Sequence, residues 1–299
     1  MTRKLGLALS GGGARGLAHI GVLKVLEHTQ IPIHALAGTS MGGIIAAAYA
    51  AGRSPGEIEE VARSLRPLDI LQRGGDGLGL IGHGKLADLM EKLLGGDLTF
   101  DELEMPLALV AVDLQTGEEV VLDEGSVVKA MLATSALPLL FPPVDWDGQM
   151  LADGGLLNNL PCDIVIRLGV DRLVAVHVLP DLSGKPGESE PVEAKGADAI
   201  LRLLLHQTRW APLVDIIERS NSIMSRRLVK YRLAEAPPDL LIKIKLKNVR
   251  MLDLYQVDRC IKAGEEAALQ HVDRLVKLRD EPTSRVGRWW KRLTRSSGR

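Results

Sequence analysis

The chain has 299 residues, 46% of them hydrophobic and 25% charged, with a formal net charge of −1. A chain of this size and composition buries a substantial core without metal or disulfide help, and it reads as one large α/β domain or a core domain with appendages. Cys162 and Cys260 form no C-x-x-C pair, which argues against a disulfide framework and fits a reducing compartment.

Residues 4–9 are a short apolar run, strand-like, that stops at Ser10 and three glycines. A helical pattern follows over residues 14–28, with Leu17, Ile20 and Val25 on a broad buried face. Residues 31–37 are again strand-like and end at Gly38-Thr39-Ser40, after which a small-residue helix is predicted over residues 41–51. This succession is a β-α-β unit, which implies a parallel sheet with a right-handed crossover.

Ser54-Pro55 is a helix start, serine as cap and proline in the first turn, for a helix reaching about residue 65. Residues 73–84 hold six glycines and are expected to form a mobile connector, with a lid over a site mouth as the functional alternative. A helix over residues 85–94 precedes Thr99-x-x-Glu102, which has the form of a capping box. Residues 107–113 and 119–122 are predicted strands joined at Thr116-Gly117, and residues 126–134 a helix. Residues 149–152 lead into Asp153-Gly154-Gly155, residues 172–179 form a buried strand, and residues 180–196 a polar surface loop. Residues 240–246 alternate apolar groups with lysine, as a half-exposed edge strand does, and residues 255–278 read as one long amphipathic helix.

No segment is long and apolar enough to span a bilayer, which takes roughly 20 residues, and residues 1–16 are too short in apolar content for a signal peptide. The expected location is cytoplasmic, with peripheral contact at the inner membrane surface left open. Residues 283–299 contain six Lys/Arg and no acid. Within that tail Arg288, Trp289, Trp290, Lys291 and Arg292 mix cations with aromatics that favour a lipid–water boundary; a solvated tail is the plainer alternative.

Three motifs carry chemistry. Gly11-Gly12-Gly13-Ala14-Arg15-Gly16 lies between a strand and a helix, where successive amides can converge on an anion, either a pyrophosphate or a developing oxyanion. A dinucleotide site calls for an acid at the end of the second strand, and that strand ends Ala35-Leu36-Ala37-Gly38. Gly38-Thr39-Ser40-Met41-Gly42 is a G-x-S-x-G sequence between strand and helix, the context of a nucleophile elbow; a serine-capped turn is the bland reading. A serine needs a base. None of the seven histidines sits in a recognisable catalytic loop, and His177, inside an apolar strand, is the best histidine candidate. Asp153-Gly154-Gly155, taken alone, is an ordinary turn.

Together, in this order, the three motifs closely resemble the patatin-like phospholipases. The segments Ser135-Ala136-Leu137-Pro138 to Phe141-Pro142-Pro143 and 156–161 are also similar to that family's, so the resemblance covers about residues 5–178. It implies a three-layer α/β sandwich with a mainly parallel central sheet and helices on both faces. Residues 1–280 would form a single domain whose core ends near 178, with a C-terminal strand and helix over 240–278 and the basic tail at 281–299.

The resemblance also implies an acyl-ester hydrolase acting on lipids, of phospholipase A or lysophospholipase type. Ser40 would be its nucleophile, Asp153 its general base, and the amides of Gly11, Gly12, Gly13 and Ala14 its oxyanion hole. Arg15, Gly16, Gly38, Gly42, Gly154 and Gly155 would support these motifs, Arg15 by fixing the loop or steering an anionic head group. A general carboxylesterase, or a non-catalytic lipid-binding member of the same fold, are the alternatives. No cofactor or metal is implied, and the expected partner is a lipid or acyl ester rather than a nucleic acid. Oligomeric state is left unspecified.

Overall fold

The computed structural model describes residues 4–65, 82–179 and 211–280. The chain begins with β1 (Leu5–Leu9), a 3-10 turn (Gly13–Leu17), α1 (Ala18–His28), β2 (Ala35–Thr39) and α2 (Met41–Ala50). β1 and β2 pair in parallel, from Gly6 opposite Ala35 to Leu9 opposite Gly38, with α1 as the expected crossover. α3 (Pro55–Ser64) carries the cap read from its sequence: the Glu57 amide donates to the Ser54 hydroxyl, and the Ser54 amide to the Glu57 carboxylate.

Then come α4 (Gly84–Leu94), β3 (Leu107–Asp113), β4 (Glu119–Leu122), α5 (Val127–Thr134), β5 (Val144–Trp146) and β6 (Gln149–Asp153). α6 (Cys162–Arg167), β7 (Arg172–Leu179), α7 (Ala211–Glu235), β8 (Leu240–Lys245), α8 (Val257–Leu269) and α9 (Val272–Asp280) complete the described chain.

The strands form one eight-stranded sheet in the order β5-β6-β3-β2-β1-β7-β8, with β4 added on β3. β3, β2, β1, β7 and β8 run parallel, while β4, β5 and β6 are antiparallel to their neighbours. The alternation of side chains along β1 shows how the layers arise. Leu7 and Leu9 join a buried cluster with residues of α1, α2 and α8, whereas Ala8 belongs to a second cluster with Ile164 and Val165 of α6 and Val229 of α7. Leu7, Leu9, Ile20 and Leu23 are fully buried, each contributing about 1.5–3 kcal/mol by removal from water.

One detail of the pairing builds the site. β2 pairs with β3 as far as Thr39 opposite Val110. β6 takes over from the next rung, Asp153 opposite Ala111, running in the reverse direction. β4 overlaps both stretches of β3, so it occupies the other edge, and β2 and β6 share this one. Their C-terminal ends therefore meet head to head. Gly154 is required there, because a Cβ at that position would stand 2.2 Å from the Val110 carbonyl oxygen.

Several elements differ from expectation. The predicted helix over 14–28 begins with a 3-10 turn, and the second strand is Ala35–Thr39 rather than 31–37. The single long C-terminal helix is two helices. His271 Nδ1 takes the Ala267 carbonyl at 2.8 Å, the acceptor its own amide would use in a continuing helix, and that amide bonds to Ala268 instead. β5, α6 and α7 were not anticipated. The loop predicted over 180–196 lies outside the described residues, as do residues 73–81 of the glycine-rich connector.

Candidate active site

Ser40 stands at the corner between β2 and α2 with φ 53 and ψ −129, a conformation that L-residues rarely adopt. Two hydroxyls hold the corner. The Ser40 amide donates to Thr134 Oγ1 at 3.0 Å, and Thr134 in turn donates to the Val110 carbonyl, the last β3 residue paired with β2. Thr39 Oγ1 donates to the Asn158 carbonyl at 2.8 Å, tying the elbow to the loop that follows Asp153.

Asp153 is only 5% exposed. Its amide donates to the Ala136 carbonyl at 3.0 Å, and its Oδ1 accepts from the Gly155 amide at 2.7 Å. Burial pushes the carboxyl up to about 6; the Gly155 amide and the nearby Ser40 hydroxyl pull in the opposite direction. Ser40 and Asp153, 113 positions apart in the sequence, are thus neighbours.

The glycine loop lies against this pair: a Cβ on Gly11 would be 3.1 Å from Ser40 Cβ. The Gly11 amide donates to the Asn159 carbonyl at 3.1 Å and the Ala14 amide to the Met251 carbonyl at 2.7 Å. Of the four amides expected to serve as donors, these two are engaged within the fold. Two amides anchor the loop, and those of Gly12 and Gly13 remain without a hydrogen bond among the described residues. Arg15 is 5% exposed and donates through Nη1 to the Val249 carbonyl at 3.2 Å, so it ties the loop to the C-terminal part of the fold.

The histidines are placed differently. His19 is buried and bonds through Nε2 to the Ser10 carbonyl at 2.8 Å, behind the loop. His177 borders the site, but no hydrogen bond joins it to Ser40 among the described residues, and burial first of all lowers it to about 4. At neutral pH such an imidazole is uncharged and a weak base.

Two cavities share Ser40 and Asp153. One, of about 160 Å³, is walled by apolar side chains including Leu17, Met41, Ile44, Leu86, Leu140 and Phe141. The other, of about 60 Å³, is polar and lies between the glycine loop, Asn159, His177 and one face of α7. Ser40 and Asp153 therefore stand where an apolar space meets a polar one.

Residues 7–166 match the family model described as patatin-like phospholipase, more than half of the chain. The chain belongs to the patatin-like phospholipase family. Its curated relatives include an uncharacterised NTE family protein of Mycobacterium bovis, 31% identical over 280 residues, a match covering 89% of this chain and 46% of that protein. Patatin-like phospholipase domain-containing protein 6 of Mus musculus is 33% identical over 185 residues, 58% of this chain and 13% of that protein. The chain thus spans about half the length of the first curated relatives it matches. The crystal structure of VipD from Legionella pneumophila aligns with a TM-score of 0.57 at 16% identity, over 91% of this chain and 67% of that one, a likeness of fold.

All three patatin-like motifs thus converge on one point, the meeting of β2 and β6. The sequence reading missed Thr134, Asn159 and the polar face of α7. Thr134 and Asn159 adjoin or fall within segments that resemble the family, but which groups they would hold depends on the sheet register. The tail residues Arg288, Trp289, Trp290, Lys291 and Arg292 lie outside the described residues. No described helix is long and apolar enough to cross a membrane.

Proposed function

We propose that this protein is a serine acyl-ester hydrolase acting on lipids, of phospholipase A or lysophospholipase type, through a Ser40–Asp153 dyad and an acyl-enzyme. The observation that carries the reading is the Ser40 hydroxyl beside a buried, raised carboxylate where an apolar and a polar cavity meet. Ser40 Oγ attacks the ester carbonyl as Asp153 takes its proton. The negative charge that develops on the carbonyl oxygen falls to the Gly12 and Gly13 amides; loss of one such donor typically costs about 2.7–4 kcal/mol. Collapse of the tetrahedral intermediate breaks the bond to the alcohol, which leaves with the proton from Asp153. A water then attacks the acyl-enzyme, Asp153 again taking the proton and returning it to Ser40 Oγ as the fatty acid is released.

A fluorophosphonate tests this directly. The phosphonyl adduct is expected on the peptide containing Ser40, with hydrolysis of lipid esters lost in step. Labelling elsewhere, or labelling that survives Ser40→Ala, removes the proposal.

The raised carboxyl also sets a pH dependence. Asp153 accepts a proton only when ionised, so kcat/KM should climb as pH rises through about 6 and level off above it. A pH–rate profile from 4.5 to 8.5 checks this; a limb centred near 4, the ordinary aspartate range, would speak against a desolvated base.

Peripheral lipid contact is proposed for the tail, on its six cations and two adjacent tryptophans. Truncation after Pro282 should weaken co-sedimentation with anionic vesicles and leave hydrolysis of a short soluble ester intact. Unchanged sedimentation disposes of the idea.

A further inference from the structure

The polar cavity is not explained by ester cleavage as such. α7 contributes Asn221, Ser222, Ser225 and Arg226 to its wall, residues at i, i+1, i+4 and i+5 that share one helix face. Asn159 and His177 line it from the opposite side. Among the described residues, Asp153 is the one carboxylate lining this cavity, and Arg226 forms no ion pair with a described acid. An exposed guanidinium beside a cluster of amide and hydroxyl donors is a setting for an anion with several acceptor oxygens.

We infer that this cavity is a leaving-group subsite that selects acyl esters whose alcohol carries a phosphoryl group, with Arg226 as its specificity-determining residue. The inference rests on the hydrolase reading above, because the cavity acquires its meaning from Ser40. With the acyl chain in the apolar cavity, the alcohol side of the ester is directed to the polar one. A phosphoryl group offers tetrahedrally disposed oxygens to the hydroxyls of Ser222 and Ser225, the amide of Asn221 and the fork of Arg226. It also brings negative charge near the Asp153 carboxylate, a repulsion that an unpaired cation on the same wall offsets. The environment of His177 is consistent with positive potential there. After burial, the nearby cations Lys243 and Arg226 help to hold its imidazole down to about 4.

The experiment compares a monoacylglycerol with the monoacylglycerol 3-phosphate of the same chain length, both below their micelle-forming concentrations. Wild type should favour the phosphorylated ester in kcat/KM, mainly through KM. Arg226→Gln should reduce that preference about tenfold, the scale of one charge-assisted hydrogen bond, and Arg226→Lys should restore part of it. Glycerol 3-phosphate should inhibit hydrolysis of the neutral ester competitively, and more weakly in Arg226→Gln. A wild type that treats the two esters alike, or a preference unchanged in Arg226→Gln, overturns the subsite. Absence of any Ser40-dependent hydrolysis of either ester is a different result and defeats the underlying hydrolase reading instead.

Discussion

Asp153→Asn is expected to lower kcat/KM by about 10⁴-fold and, in the same protein, to raise thermal stability at pH 8. The first effect follows from the proposed mechanism, in which Asp153 accepts the Ser40 proton. The second follows from linkage. The folded carboxyl is raised from 3.8 to about 6 by burial, so the native state holds its proton more tightly than the unfolded chain does. That contribution to stability is fully present below pH 3.8 and is lost as pH rises through about 6. A change from 3.8 to about 6 corresponds to roughly 3 kcal/mol. Asparagine keeps an oxygen for the Gly155 amide and carries no charge to desolvate, but its amine needs a new acceptor. A net gain of about 1–2 kcal/mol, or ~2–5 °C in Tm, is the expected remainder. Melting curves of both proteins at pH 5 and pH 8 decide it: the variant's advantage must be larger at pH 8. An equal or smaller advantage there means that Asp153 is not held ionised against its surroundings.

The second large effect concerns Ser40 and separates chemistry from strain. Ser40→Ala should lower kcat/KM by about 10⁴- to 10⁶-fold, because the water-filled alternative lacks a nucleophile fixed under the Gly12 and Gly13 amides. Ser40→Gly should be equally inactive. The two differ in the fold. At φ 53 and ψ −129 a side chain costs about 1–3 kcal/mol that glycine does not. Part of the gain is returned through the greater freedom of glycine in the unfolded chain. The glycine variant should therefore be the more stable by about 1 kcal/mol, read by urea denaturation. If alanine proves the more stable, the elbow is not strained, and its geometry must be held by something other than the Thr134 and Thr39 hydroxyls.

Legibility in the sequence tracked how local each determinant is. The elbow was readable because strand, glycine, serine and helix are consecutive, and the Ser54 cap for the same reason. The pairing of Ser40 with Asp153 was not. It depends on β2 and β6 sharing one edge of β3, and only the resemblance to a family brought the two residues together beforehand. The choice among loop amides was equally remote, since Asn159 and Met251 occupy the Gly11 and Ala14 donors from far along the chain.

α7 escaped for another reason. Ile216, Ile217, Ile223, Met224 and Tyr231 are exposed while Val229 is buried, so its apolar residues do not mark the face turned to the core. Part of its inward side is polar instead, and borders the smaller cavity. The break at His271 follows from a ring nitrogen capturing a main-chain carbonyl, a local event that hydrophobic periodicity does not register.

Because Ser40 and Asp153 stand at the ends of strands that abut along β3, a growing polypeptide cannot bring the proposed nucleophile to its proposed base until the later strand has emerged and docked. On the proposed mechanism, half-made or wrongly registered copies would be chemically silent. For the proposed lipid hydrolase, completion of the sheet itself would act as the safety catch.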